Sequence, residues 1–206
     1  MSKFTIAYNK IMGHEGTYSN HRLDRGGETY RGVSRNHHPT WGGWQIIDDT
    51  KRSVAKEYDQ DSVEFENEFV SRLEENQLLQ YRIKEFYKKN YFDVFNGDNL
   101  PKQLAIELFD NAVNLGKNRA VKHLQRSLNV LNRNGLLYSD LIVDGIYGSM
   151  TEGAINRYLD IDGDEEMLVK VINILQGSYY LEIMKYDPTQ EHFARGWLKR
   201  VTLDLS

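Results

Sequence analysis

The chain has 206 residues, 27% charged and 40% hydrophobic, enough for a sizeable core in one domain or two closely joined lobes. No run approaches the roughly 18 apolar residues of a membrane span, so membrane insertion is not expected. The absence of cysteine removes disulfides and thiolate metal sites, and a net charge of −4 argues against a general nucleic-acid binder.

The first segment, MSKFTIAYNKIMGHEG, is amphipathic and broken by polar residues. It lacks the unbroken apolar core of a signal peptide, so synthesis in the cytoplasm without a cleaved signal is expected. Phe4, Tyr8, Ile11 and Met12 recur at helical spacing, and Glu15 extends that row. Gly13 and Gly16 flank Glu15, so the spacing predicts a helix that ends there. A carboxyl group at a helix C-terminus, among apolar neighbours, meets desolvation and the negative end of the helix dipole. Both raise its pKa, and a carboxyl that keeps its proton near neutrality is what a general acid requires. A Glu-Gly pair at a helix end is more often simply solvated, so the surroundings decide.

Those surroundings are turn-rich. Asp24 and Thr29 follow, Gly26-Gly27 signals a tight reversal and Gly32 a second. Tyr30 and Val33 with polar neighbours suit a short, half-exposed β-hairpin. A helix ending in Glu15, with a hairpin bringing Asp24 and Thr29 opposite, is a workable layout for glycoside hydrolysis. Glu15 would protonate the leaving oxygen, while Asp24 and Thr29 would hold a water or steady an oxocarbenium-like transition state. Residues 20–38 also concentrate Arg22, Arg25, Arg31 and Arg35 against Asp24 and Glu28. This is either solvated surface or the rim of a groove for a carboxylate-bearing polymer.

Beyond the hairpin the chain reads as helical. TWGGWQII (40–47) is expected to be a loop or short helical turn with paired Trp41 and Trp44. Helices are expected over 51–60, 62–75 and the aromatic-rich 80–95, with Gly97 as a stop. Aromatic-rich helices usually build core, although some rings could line a sugar cleft. The clearest helix is 101–115, with Pro101 near its start, a stripe of Leu104, Ala105, Leu108, Phe109, Ala112 and Val113, and Gly116 as its stop. Asp110, Asn111 and Asn114 lie on or beside that stripe and need partners: they either cap neighbouring elements or face a cleft. A helix follows over 117–131, then a loop to 148. Ser149 and Glu152 have capping-box spacing, and Asp164 is placed to cap a long helix, 165–186. LDIDGDEE (159–166) lacks the Gly and Glu positions of a calcium-binding EF-hand loop, and His37-His38 lacks metal-ligand spacing, so no metal is expected. A last helix would seal the core with Phe193 and Trp197.

GHEGTYSNHRLDRGGETYRGVS (13–34) resembles the opening of the glycoside hydrolase family 108 lysozymes, phage and bacterial N-acetylmuramidases. Their pattern runs Glu-Gly-Gly-Tyr, a short spacer, Asp-Pro-Gly-Gly, Thr, then Gly-Ile-Thr. The resemblance continues in FYKKNYFDVF (86–95), LFDNAVNLGKNRAVKHLQRSLNV (108–130), VDGIYGSMT (143–151) and FARGWLKRV (193–201). It implies that Glu15 is the catalytic acid and that the region around 143–151 belongs to a peptidoglycan-binding part. Thr17 stands where the family has its second Gly, and Arg25 where it has Pro. Neither change removes a titratable group.

Together these readings predict a mainly α (α+β), lysozyme-like fold with an N-terminal catalytic helix, a small β-hairpin and a helical body. A catalytic part is expected over 1–98 and a helical, peptidoglycan-binding part over 99–206, the two together forming one compact unit. The expected reaction is hydrolysis of the β-1,4 bond between N-acetylmuramic acid and N-acetylglucosamine. Glu15, Asp24 and Thr29 are the expected catalytic residues, and Tyr18, Arg25, Tyr30, Asn111 and Asn114 the substrate-binding ones. No cofactor is expected. The expected partner is the peptidoglycan glycan strand, met as a monomer after release by phage lysis or secretion. A lytic transglycosylase, a chitinase-like enzyme and a non-catalytic wall-binding or secretion-accessory protein are the rival readings.

Overall fold

The structure, a computed structural model, describes residues 1–12, 17–20 and 27–203. Glu15, Asp24 and Arg25 therefore lie outside the described residues. The described chain is mainly helical with one small sheet, as the sequence predicts, and it divides into two compact units. One unit comprises residues 8–90 and the other residues 1–7 with 91–206.

Helix α1 (Lys3–Met12) begins in the second of these and ends in the first. Its apolar row is buried at Phe4, Tyr8, Ile11 and Met12. Phe4 sets its ring edge-on to Phe92 and Phe109, and Tyr8 does the same with Tyr87.

The hairpin expected from Gly26 to Gly32 proves to be part of a three-stranded antiparallel sheet. Its strands are β1 (Tyr18–Ser19), β2 (Thr29–Tyr30) and β3 (Val33–Ser34), in that order. Arg31 and Gly32 make the β2–β3 turn, with φ of 42° and 80°. Two successive positive φ values are what a type I′ hairpin turn requires, and glycine meets that at its second position without strain.

The 40–47 expectation is corrected. Residues from Gly43 already form α2 (Gly43–Val54). Gly42-Gly43 reads as a breaker, yet the pair stands at a helix start, where Gly is tolerated. The expected helix 51–60 is corrected too: α2 stops at Val54. The Asp59 side chain accepts from the Asp61 amide, and such local bonding competes with helix. Ser62 then caps α3 (Val63–Glu75) by accepting from the Phe65 amide at 3.0 Å, and Asn76 likewise caps α4 (Gln77–Tyr87). A π-helical turn (Lys88–Phe92) and a 3-10 turn (Asp93–Phe95) complete the aromatic-rich segment. Tyr87, Phe92 and Phe95 are buried, in keeping with a core role.

The other unit is built on α5 (Lys102–Leu115), which packs on α6 (Lys117–Leu131) and α8 (Glu165–Tyr186). Helix α5 is buried almost all round from Leu104 to Ala112, which marks a central helix and not a surface one. The capping box expected at Ser149 is not formed. Helix α7 (Ser149–Ile161) starts from Gly148 without a side-chain cap, and Glu152 instead accepts from Asn96 Nδ2 at 2.9 Å. Asp164 does cap α8, accepting from the Met167 amide at 2.8 Å. The C-terminal expectation holds in part. In α9 (Ala194–Leu198), Trp197 stacks on buried Tyr180, but Phe193 only stacks on Trp197 and remains half exposed.

The two cap positions give an internal contrast. Asp164→Ala should lower unfolding free energy by about 1 kcal/mol. Ser149→Ala, at a site without a cap bond, should change it by less than about 0.5 kcal/mol. Urea melts of the two variants check this, and equal losses would restore the capping box.

Candidate active site

The sheet register sorts its side chains. Tyr18 lies opposite Tyr30, and Tyr30 opposite Val33; Ser19 lies opposite Thr29, and Thr29 opposite Ser34. Because side chains alternate across a strand, Tyr18, Tyr30 and Val33 share one face and Ser19, Thr29 and Ser34 the other. Tyr30 and Val33 are fully buried, so the first face is the core face. The second presents a row of three hydroxyls. Ser19 and Ser34 were missed from sequence, because Ser34 meets Thr29 only through the two-residue Arg31-Gly32 loop and Ser19 only through the β1–β2 register.

Thr29 is half-buried, and its hydroxyl donates to the Gly27 carbonyl at 3.0 Å. Tyr30 stacks on Trp41, and its hydroxyl accepts from Gln80 Nε2 at 3.0 Å. With its side chain fully buried, Tyr30 braces the sheet from behind. Tyr18 donates to Glu28 Oε1 at 2.8 Å, and its ring meets Phe69 edge-on. Burial and the Glu28 carboxylate push the Tyr18 phenol well above its usual range, so it remains a donor. Glu28 also pairs with Arg35 Nε at 2.6 Å, and Arg35 grips Asp48 with both terminal nitrogens while lying over the Trp44 ring. The Asp48 hydrogen bond is the main reason the Arg35 pKa is raised, partly offset by burial. Tyr18 also lines a groove of about 570 Å³ along β1, with Ser19, Lys51, Asp61, Phe65 and Glu66.

Met12 and Thr17, the described residues nearest Glu15 in sequence, are each anchored. On one side Met12 is buried in α1. On the other, the Thr17 carbonyl accepts from the Arg31 amide at 2.9 Å and the Thr17 hydroxyl donates to Glu74 at 3.1 Å. Arg31, read from sequence only as one charge of a possible groove rim, thus acts here through its backbone amide. The charge of Arg31 also acts on buried Tyr8, whose pKa nevertheless rises to about 12 because burial outweighs it.

Asn111 and Asn114 belong to the other unit. Asn111 has no exposed surface: its amide donates to Glu107 at 3.2 Å, and its oxygen meets His123 Nδ1 at 3.0 Å. Asn114 is half-buried, donates to the Asp110 carbonyl and lines a small cavity of about 170 Å³ with Tyr179, Tyr180 and Trp197. Among the described residues no group of three or more His, Asp or Glu side chains could hold a metal ion. No described helix is long and apolar enough to cross a membrane.

Comparison with known proteins assigns the chain. Residues 8–116 match the model described as glycosyl hydrolase 108, and residues 119–202 match one described as a predicted peptidoglycan domain. The chain belongs to the glycosyl hydrolase 108 family and is a glycosidase that acts on peptidoglycan. Among solved structures, that of Brucella abortus SagA is similar in fold. Its TM-score is 0.57 at 22% identity, over 96% of this chain and 88% of that one. Comparison with the curated proteins gives no match.

Burial holds the His123 pKa down to about 4, helped by the charges of Arg119 and Arg126. An unfolded histidine titrates near 6.5, so between about pH 4 and 6.5 the unfolded chain binds a proton that the folded chain refuses. Stability from this group is therefore complete above about pH 6.5. It falls as pH drops, by up to about 1.4 kcal/mol per pH unit. His123→Gln should flatten that slope in denaturant melts from pH 4.5 to 7.5. A variant with the wild-type slope would show that another group carries it.

Proposed function

We propose that this protein is an N-acetylmuramidase, a lysozyme that hydrolyses the β-1,4 bond between N-acetylmuramic acid and N-acetylglucosamine with Glu15 as general acid. The observation that carries the reading is the family match, which spans Glu15, the hydroxyl-bearing sheet and α4. What supports it in the structure is that Met12 is buried in the core and Thr17 is bonded to the hairpin turn, the described residues on either side of Glu15 in sequence. A general acid must be held within hydrogen-bond reach of the leaving oxygen, which requires fixed flanks. Thr29, with Asp24 from the β1–β2 connection, holds the water or steadies the developing cation. The enzyme works as a monomer on the wall, after release from the cytoplasm at phage lysis or by secretion.

Glu15→Gln keeps the shape and removes the proton, so it should cost at least about 100-fold in turnover on purified sacculi without a change in melting temperature. Mass spectrometry of wild-type digests should show reducing muramic ends. Anhydromuramic ends would replace the hydrolase with a lytic transglycosylase, in which the muramyl 6-hydroxyl attacks in place of water. Full activity in a folded Glu15→Gln protein would remove the acid altogether.

The role of Thr29 separates from simple bracing by kinetics. If its hydroxyl orients water, Thr29→Ala and Asp24→Asn each lower kcat with KM nearly constant, and Thr29→Ser restores most of it. If the Thr29–Gly27 bond only braces the loop, the activity lost in Thr29→Ala tracks the melting temperature, and the residue leaves the mechanism.

A further inference from the structure

The β3–α2 connection carries a second groove that the proposed chemistry does not use. It measures about 490 Å³ and is lined by Trp41, Phe86, His38, Arg82, Lys89 and Asn90, among others. That volume lies within the roughly 300–1,000 Å³ of small-ligand sites. Trp41, Phe86 and His38 are each only partly buried, so ring surface is presented to solvent.

The rings are held rigidly. Trp41 stacks on buried Tyr30 with centroids 6.4 Å apart and planes 19° apart. It also meets Trp44 and Phe86 edge-on at 5.1 and 6.1 Å, and His38 meets Phe86 edge-on at 4.8 Å. The His38 carbonyl accepts from both the Trp41 amide and Trp44 Nε1. Gly43 completes the seat: a Cβ there would collide with the Trp41 indole, so only glycine lets the ring pack this close to the start of α2. A large aromatic surface fixed beforehand loses little entropy on binding.

The rim selects charge. The Glu85 carboxylate is occupied by Arg82 at 3.2 Å and by the Tyr81 hydroxyl at 2.8 Å. The Lys89 ammonium has no hydrogen-bond or ion-pair partner among the described residues and is exposed. Arg82 and Lys89 against Glu85 make the rim net positive on a chain of net charge −4. A flat apolar platform beside an unpaired cation suits a sugar ring that also carries a carboxylate.

We propose that this groove binds a carboxylate-bearing amino-sugar unit of the peptidoglycan strand, with the pyranose face on Trp41 and the carboxylate at Lys89. The inference rests on peptidoglycan being the substrate, as the function proposed above requires. It is tested by NMR or calorimetric titration of the full chain with two probes. One is N-acetylglucosaminyl-N-acetylmuramic acid with its reducing-end ring intact, whose lactyl carboxylate is free, and the other is uncharged N,N′-diacetylchitobiose. Trp41→Ala should weaken binding of both about tenfold, the loss of one well-packed contact. Lys89→Glu, at an exposed position that leaves the fold intact, should weaken only the muramyl probe, again about tenfold. Equal affinity for the muramyl probe in parent and Lys89→Glu would overturn the carboxylate assignment. Unchanged binding in a Trp41→Ala protein with native melting would overturn the platform. If the parent binds neither probe the groove proposal falls, while reducing muramic ends in wild-type digests would still uphold the muramidase reading.

Discussion

A sheet with two residues per strand cannot hold itself, because so few ladder bonds do not offset the ordering of three segments. What fixes it is one residue, Arg31, gripped from two sides. Its amide donates to the Thr17 carbonyl, and its own carbonyl accepts from the Tyr87 hydroxyl at 2.8 Å. One residue back, Gln80 reaches Tyr30 and also donates to the Leu73 carbonyl. Helix α4 therefore clamps the hairpin turn, and the turn fixes the chain at Thr17. Arg31 itself sits at positive φ, which costs an ordinary side chain something, and the two backbone bonds hold it there.

The same logic continues from the sheet to α2. Tyr18, Glu28, Arg35 and Asp48 form a run of charge-assisted bonds from β1 to α2, closed by Arg35 lying over Trp44. Each of these groups is partly exposed, so any one pair contributes modestly. Linked together they fix rotamers, and side-chain orientation is what a site needs. Trp44 and Trp41 are neighbours in one seat, so the residues that position the sheet also present the aromatic groove.

The helical body was legible wherever a periodic stripe met a recognisable stop. Helices α5, α6 and α8 lie within a residue of the expected ranges because Pro101, Gly116 and Asp164 act locally. The failures were tertiary. Gly42-Gly43 resembles a loop because its reason is the indole packed over Gly43, which no local pattern reveals. Ser149 and Glu152 have the right spacing for a capping box, but Asn96 takes the carboxylate. In the site, Thr29 and Tyr30 could be assigned to the hairpin from sequence, whereas the strand of Tyr18 and the partners of Thr29 could not. A shift of one residue in register would exchange the hydroxyl row for the tyrosines. The role of Arg31 was hidden for another reason: its contribution is made by backbone atoms.

Helix α5 shows why polar residues on an apolar stripe were ambiguous. Asp110 and Asn111 lie on it, and both prove to be buried with partners inside the core. Asp110 accepts from Gln176 and pairs with Arg200 at 3.5 Å, while Asn111 links Glu107 to His123. Polar groups taken out of water are costly unless bonded, so these bonds are made at only one rotation of each helix. Turning α6 by a single residue would carry His123 away from Asn111 and strand both. Helix α5 closes the glycosidase match and α6 opens the peptidoglycan-domain match, yet their polar side chains meet in one core. The two family segments therefore cannot loosen independently at this junction. Burial, with the charges of Arg119 and Arg126, favours the neutral imidazole at this junction, where His123 Nδ1 meets the Asn111 oxygen.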